Sequence, residues 1–379
     1  MIVRDRLLQR LLEFIVVNGP SREERAVADR ILSQLAAIGI EAREDDAAAT
    51  VGGNCGNIVA KLPATGGGGP TLLFNAHMDT VQPTAGVRPI VSGDLVKSDG
   101  TTILGADDRS GVAIALEVAH SLLEDGTAHG EIILAFTVCE EVGLLGAEHL
   151  ARRGLSAGVG FVLDGGDDPG RIVSAAPYHV RLKAVVHGKA AHAGVHPEEG
   201  INAIVIASRA ISGMTLGRVD AETTANIGKI RGGEATNIVP ELVELEGEAR
   251  SIQEPKVKRQ VAHMVEQLET AARALGGSAE VQQEMNYRGY RLSEDDPPIR
   301  LAMKAMQRLG IKPILEPSCG GTDGNQFNAA GIPTATLCTG GGNAHGRDEY
   351  CNIPVMVRCA ELAQAIVREA AALPQQSRV

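Results

Sequence analysis

Two histidines and a handful of acidic residues stand where their types and spacing could do chemistry. His77 and Asp79 lie two residues apart in Phe74-Asn75-Ala76-His77-Met78-Asp79-Thr80-Val81, directly after the apolar run Thr71-Leu72-Leu73. In extended backbone, side chains at i and i+2 leave the same face, so this imidazole and carboxylate can enter one pocket together. That pairing suits a metal-ligating histidine with a carboxylate behind it. Alone, a His-x-Asp is weak evidence. Four further stretches carry the same kind of group: Gly105-Ala106-Asp107-Asp108-Arg109-Ser110-Gly111, Cys139-Glu140-Glu141-Val142-Gly143, Asp164-Gly165-Gly166 and Asn343-Ala344-His345-Gly346.

The elements that must position them are legible from periodicity. Leu7, Leu8, Leu11, Leu12 and Ile15 repeat at helical spacing up to the stop at Gly19-Pro20, and Ser21 with Glu24 reads as a capping box opening a second helix toward Gly39. Residues 40–43, 57–62 and 71–75 read as strands, 111–123 as a helix, 132–138 as a buried strand, 147–153 as a helix and 159–163 as a buried strand. Alternating strands and helices predict an α/β fold with a mixed, mostly parallel sheet sandwiched by helices. In such sheets the ligand crevice lies beyond the C-terminal ends of the strands. His77, Glu140 and Asp164 fall there, and His345 lies in the Gly-rich loop beyond the strand 334–338.

From Tyr178 the pattern changes. Val180, Leu182, Ala184 and Val186 alternate with polar neighbours, and the order onward is a helix at 200–214, strands at 225–231 and 241–250, a helix at 254–275 and a strand at 279–287. This β-α-β-β-α-β order is ferredoxin-like and reads as an inserted domain over 177–290, with 1–176 and 291–379 forming the other domain. A helix at 297–309, strands at 311–315 and 334–338 and a closing helix at 356–371 complete the chain; the tail 374–379 is expected to be disordered.

Composition bounds what the chain can do. Among 379 residues there are 36 basic and 47 acidic ones, a net charge of −11, which disfavours nucleic acid. With no Trp, four Tyr and five Phe, the core must be mostly aliphatic. Six cysteines without Cys-x-x-Cys spacing, charges in the first six residues and no apolar run of membrane-spanning length point to a reduced, cytoplasmic chain with no membrane partner.

Each candidate has an ordinary reading too. Asp107 could simply cap the helix after it, Glu140-Glu141 could be a solvated turn, and Asp164 and His345 could be loop residues. All five at one sheet edge is a different matter. Two imidazoles and several carboxylates suit two divalent ions about 3.5–4 Å apart, a spacing that calls for a bridging carboxylate. Such donors favour zinc, with cobalt or manganese as alternatives. Adjacent Glu140 and Glu141 point in different directions, so one can bind metal while the other serves as general base to a water and then as acid to a leaving amine.

Together, His-Met-Asp-Thr, Gly-Ala-Asp-Asp, Glu-Glu-Val-Gly, Asp-Gly-Gly and the late His-Gly resemble the dizinc peptidase family of peptidase T, glutamate carboxypeptidase, aminoacylase and succinyl-diaminopimelate desuccinylase. Asp99 to Asp108 and Thr137 to Gly143 most resemble its peptidase T-like branch. The resemblance spans nearly the whole chain and implies a zinc exopeptidase-like catalytic domain with an inserted lid and dimerisation domain. It implies that His77, Asp107 and Asp164 hold one zinc and Asp107, Glu141 and His345 the other, that Asp79 orients His77, touching only it, and that Glu140 is the general base acting on a metal-bridging water. His192, in Val186-His187-Gly188-Lys189-Ala190-Ala191-His192-Ala193-Gly194, would help bind the oxyanion. Asn237 and Arg250 would meet the substrate carboxylate, for which a bidentate guanidinium is suited. The implied activity is removal of the N-terminal residue from short peptides, tripeptides above all, by a homodimer paired through the inserted domain; the alternative is an N-acyl-amino-acid amidohydrolase. Two departures from the pattern stand out. The segment from Asp79 to Asp107 is short, at 28 positions, and Asp108-Arg109-Ser110 carries a variation expected to be harmless.

Overall fold

A computed structural model describes residues 1–374; the rest of the tail expected to be disordered lies outside the described residues. The chain forms two compact units. The first comprises Met1–Ser174, Leu292–Pro317 and the chain from Thr322 onward; the second comprises Ala175–Arg291 with Ser318–Gly321.

The first unit is built on a mixed sheet. Its middle is parallel: Ile132–Thr137, Leu72–His77, Val159–Gly165 and Thr334–Cys338 lie side by side in that order. Antiparallel strands flank them, Ile58–Leu62 and Ala42–Glu44 on one side and Arg171–Ala176 on the other. Both faces are covered, which explains the uninterrupted apolar runs. Along Leu72–His77 successive side chains go to opposite faces: Phe74 joins the main core with Val112, Leu116 and Ile366, and Leu73 joins a smaller cluster with Leu150 and Phe327. Phe74 and Phe161 stack at 5.7 Å between ring centroids in a core otherwise mostly aliphatic.

The helix Ala106–Asp125 lies deep in this unit. Its Glu117 is fully buried, which a charge tolerates only with partners. The N-terminal helix Arg4–Ile15 supplies them: Arg6 binds Glu117 with two nitrogens, at 2.7 and 2.8 Å, and the Val3 amide donates to it at 2.9 Å.

The second unit is an antiparallel sheet in the order Gly217–Asp220, Thr223–Gly232, Leu242–Ser251, Tyr178–His187, Ser278–Tyr287. Helices Ala203–Gly213 and Glu254–Ala274 share a core with Val180, Leu182, Ala184 and Val186, the alternating set read from the sequence. The first helix starts later than its sequence pattern suggested, because the Asn202 side chain caps it by accepting from the Ile204 and Val205 amides.

One expected cap is absent. Ser21 and Glu24 form no capping box, and the second helix runs Arg25–Ala37 with no side-chain cap. Both residues face inward instead. Ser21 donates to Asp79 at 2.6 Å, and the fully buried Glu24 accepts from the Cys139 amide at 3.0 Å. No described helix is long and apolar enough to cross a membrane, and all six cysteines are free, five of them buried.

Candidate active site

The parallel strands end at one edge of the sheet, and the acidic and histidine residues gather there. His77 is the last residue of its strand and lies in register with Thr137, after which the chain turns through Cys139, in a left-handed conformation (φ 56°), to Glu140 and Glu141. Asp164 is the last residue but one of Val159–Gly165. His345 arrives on a hairpin between the short strands Gly341–Gly342 and Tyr350–Asn352, the second of which pairs with Leu95–Lys97 from the segment between Asp79 and Asp107. The hairpin packs closely: a Cβ on Gly342 would stand 2.4 Å from the Tyr350 ring.

Asp107 is the centre of the cluster. One carboxylate oxygen lies 3.1 Å from His77 Nε2 and the other 3.4 Å from His345 Nε2. His77 Nε2 is 3.9 Å from Asp164, and His345 Nε2 is 3.0 Å from Glu141. Three sets of donor atoms lie within 4.8 Å of one another: His77, Asp107 and Asp164; Asp107, Glu141 and His345; and His77, Glu140 and Glu141. Asp107 thus belongs to both imidazole-carboxylate sets that the motif assignment paired.

The local charge is lopsided. Burial by itself would lower the His77 imidazole, but Asp107 and Asp79 hold it well above its ordinary value. Asp107 and Glu141 raise His345 to about 10. Burial is outweighed at Asp107, which His345 and His77 keep far below the usual carboxylate range. Burial and then Asp107 push Asp164 well up, and burial, with Glu141, Asp323 and Asp79, does the same to Glu140. Carboxylates outnumber cations in this buried pocket, and a multivalent cation would offset their charge.

Asp79 does more than the motif implied. His77 Nδ1 is 3.0 Å from the Asp79 backbone carbonyl and 3.5 Å from its carboxylate. The carboxylate accepts from the Glu140 amide at 3.0 Å, the Glu141 amide at 3.2 Å and the Ser21 hydroxyl. It therefore touches the Glu140-Glu141 turn as well as His77. Asp107 is not the helix cap either; Asp108 accepts the Gly111 amide at 3.0 Å and the His77 amide at 3.2 Å.

Sequence reasoning passed over several buried charges beside the cluster. Asp323, in Gly320-Gly321-Thr322-Asp323-Gly324, accepts from Asn75 at 3.2 Å and from Thr137, and burial raises it to about 6. Glu349 accepts from the Gly105 and Asp107 amides, and burial raises it to about 7. Arg109 is almost fully buried, donates to the Met78 carbonyl and is lowered by burial to about 10. Asp323 and Glu349 sit in polar loop stretches whose letters carry no sign of burial; an acid four positions after the late histidine was the one available signal.

The remaining sequence candidates belong to the second unit. His192 is exposed and bridges Ile238, while the Ala193 amide donates to the Asn237 carbonyl at 2.9 Å, so His192 and Asn237 lie on adjacent segments. Arg250 engages Glu248 through two nitrogens at 3.0 and 3.1 Å, and Glu248 also pairs with His179 at 3.0 Å.

The chain is similar to known proteins over nearly its whole length. The model of the family described as Peptidase family M20/M25/M40 matches residues 73–369. The protein YqjE of Bacillus subtilis is 41% identical over 371 residues, covering 98% of this chain and 100% of its own. The solved structure of a tripeptidase from Staphylococcus aureus has a TM-score of 0.92 at 39% identity, covering 98% of this chain and 100% of that one. Aminopeptidase PepT from Bacillus cereus has a TM-score of 0.87 at 40% identity, covering 98% and 99%.

Proposed function

The chain belongs to peptidase family M20/M25/M40 and is a metallopeptidase of its peptidase T-like branch, and from that premise we propose that it removes the N-terminal residue from short peptides, tripeptides foremost, using two divalent ions. The observation that carries the two-ion reading is Asp107, whose two oxygens face two different imidazoles and which belongs to two separate ligand sets. The donors fit the ions: two imidazoles and three carboxylates in a pocket short of positive charge. His77, Asp107 and Asp164 would hold one ion and Asp107, Glu141 and His345 the other, zinc being the favoured metal and cobalt or manganese the alternatives. Ions held there supply Lewis-acid polarisation of the scissile carbonyl and a water of lowered pKa.

The residues of the chain do the rest. Glu140 takes the proton of the attacking water and returns it to the leaving amine nitrogen. Asp79 holds the Glu140-Glu141 turn and faces His77, fixing base and ligand against each other. We assign to His192 the stabilisation of the oxyanion and to Asn237 and Arg250 the substrate carboxylate, on their motifs. The preference for tripeptides is supported by the similar tripeptidase and aminopeptidase structures.

The test is metal content and a substrate panel on the same sample. Two ions per chain and release of the N-terminal residue from tripeptides are expected, with loss on chelation and recovery on adding zinc, cobalt or manganese. Cleavage of N-acyl amino acids with no peptide turnover would replace this reading by the amidohydrolase one.

A further inference from the structure

The segments that carry the candidate ligands are tied down by buried carboxylates that are not themselves in the ligand sets. Asp108 accepts from the amide of His77, Asp79 from those of Glu140 and Glu141, and Glu349 from those of Gly105 at 2.6 Å and Asp107 at 2.9 Å. Asp79 and Asp108 are sequence neighbours of ligands. Glu349 comes from 242 residues beyond Asp107, is 1% exposed, and has no part in the chemistry assigned above.

Backbone geometry says why Asp107 needs it. Asp107 has φ −80° and ψ 106°, outside the helical region, and Gly105 is left-handed at φ 75°. Their amides stand at the start of a helix, where N–H groups lack helical carbonyl partners. A carboxylate offers two acceptor oxygens and no competing donor. Rotation of the backbone at Asp107 would swing both of its side-chain oxygens away from His77 and His345. Glu349 sits four positions after His345, in the loop between Gly341–Gly342 and Tyr350–Asn352. One hairpin therefore delivers both a ligand and the brace of the residue it faces.

We propose that Glu349 is the positioning residue that fixes Asp107 between the two ligand sets, so that its two carboxylate oxygens serve both at once. This rests on the two-ion reading. The test titrates chelator-stripped parent and Glu349→Gln with Co²⁺, following visible absorption and heat, then measures tripeptide turnover. Glutamine keeps the size but turns its amide NH2, a donor, toward a backbone N–H. The parent should take up two ions. The variant should bind at least one of them about 10–100-fold more weakly, with an altered cobalt spectrum, reduced kcat, little change in KM and the same metal-free melting temperature. Glu349→Asp, which keeps both acceptors on a shorter stem, should recover part of the loss, and it carries the same titration if the Gln variant does not fold. Equal affinities and spectra in the parent and in the variant that folds would overturn the assignment, as would collapse of the metal-free fold in both variants. A parent that takes up fewer than two ions would overturn the two-ion reading instead.

Discussion

Asp79 shows how much one side chain can be asked to do. A bare His-x-Asp reads as a ligand and its orienting partner, yet this carboxylate also accepts two consecutive amides and a hydroxyl. An asparagine there keeps one acceptor and must aim a donor at other donors. Asp79→Asn should therefore lower kcat/KM by about 10–100-fold while circular dichroism stays unchanged; activity equal to the parent would reduce Asp79 to a loop carboxylate. Glu140 calls for a different signature. Glu140→Ala should lose about 10²–10⁴-fold in turnover while elemental analysis still finds both ions, and full activity in that variant would remove Glu140 from the mechanism.

At the scale of elements, strands and helices with a long repeat were legible. Leu72–His77, Ile132–Thr137 and Thr334–Cys338 fall within two residues of their sequence pattern because they are buried on both faces and mostly apolar. Much of the cluster was legible for the same reason, since His77, Glu140, Glu141 and Asp164 lie at or just after the ends of such strands. What stayed hidden depends on distant partners. Ser21 and Glu24 have the spacing of a local cap, but Asp79 and the Cys139 amide claim them; two-residue strands such as Gly341–Gly342 carry no period at all. Cross-strand charge in the second unit gives a pH prediction. His179 and Arg250 hold Glu248 at about 2, against its ordinary 4.5. Its folded value is depressed, so its contribution to stability is present above about pH 4.5 and is lost as pH falls toward 2. Glu248→Gln should flatten the urea midpoint over that window, and an unchanged slope would deny the contribution.

For the molecule as a whole, the second unit offers a surface for a second copy. Beyond Ala225 the strand Thr223–Gly232 pairs on one side only among the described residues, and an unpaired strand edge can pair with its own symmetry mate. Ile230 at 52% exposure and Val205 at 51% put apolar surface on that strand and on the helix Ala203–Gly213. Pairing of two chains through this unit is thus a proposal with a direct check: the parent should sediment as a dimer and Ile230→Lys should shift it toward monomer, whereas a monomeric parent would end the idea. The buried Glu117 has a more practical consequence. Its helix begins at the candidate metal site, and Glu117, about 16 Å along it, is gripped by Arg6 and Val3. Trimming the first ten residues to shorten an expression clone would strand that carboxylate at a cost of about 3–5 kcal/mol. A fall in melting temperature would mark the loss, so purification tags that replace or restructure this end should be compared with tags placed elsewhere before any kinetic constant is taken as native.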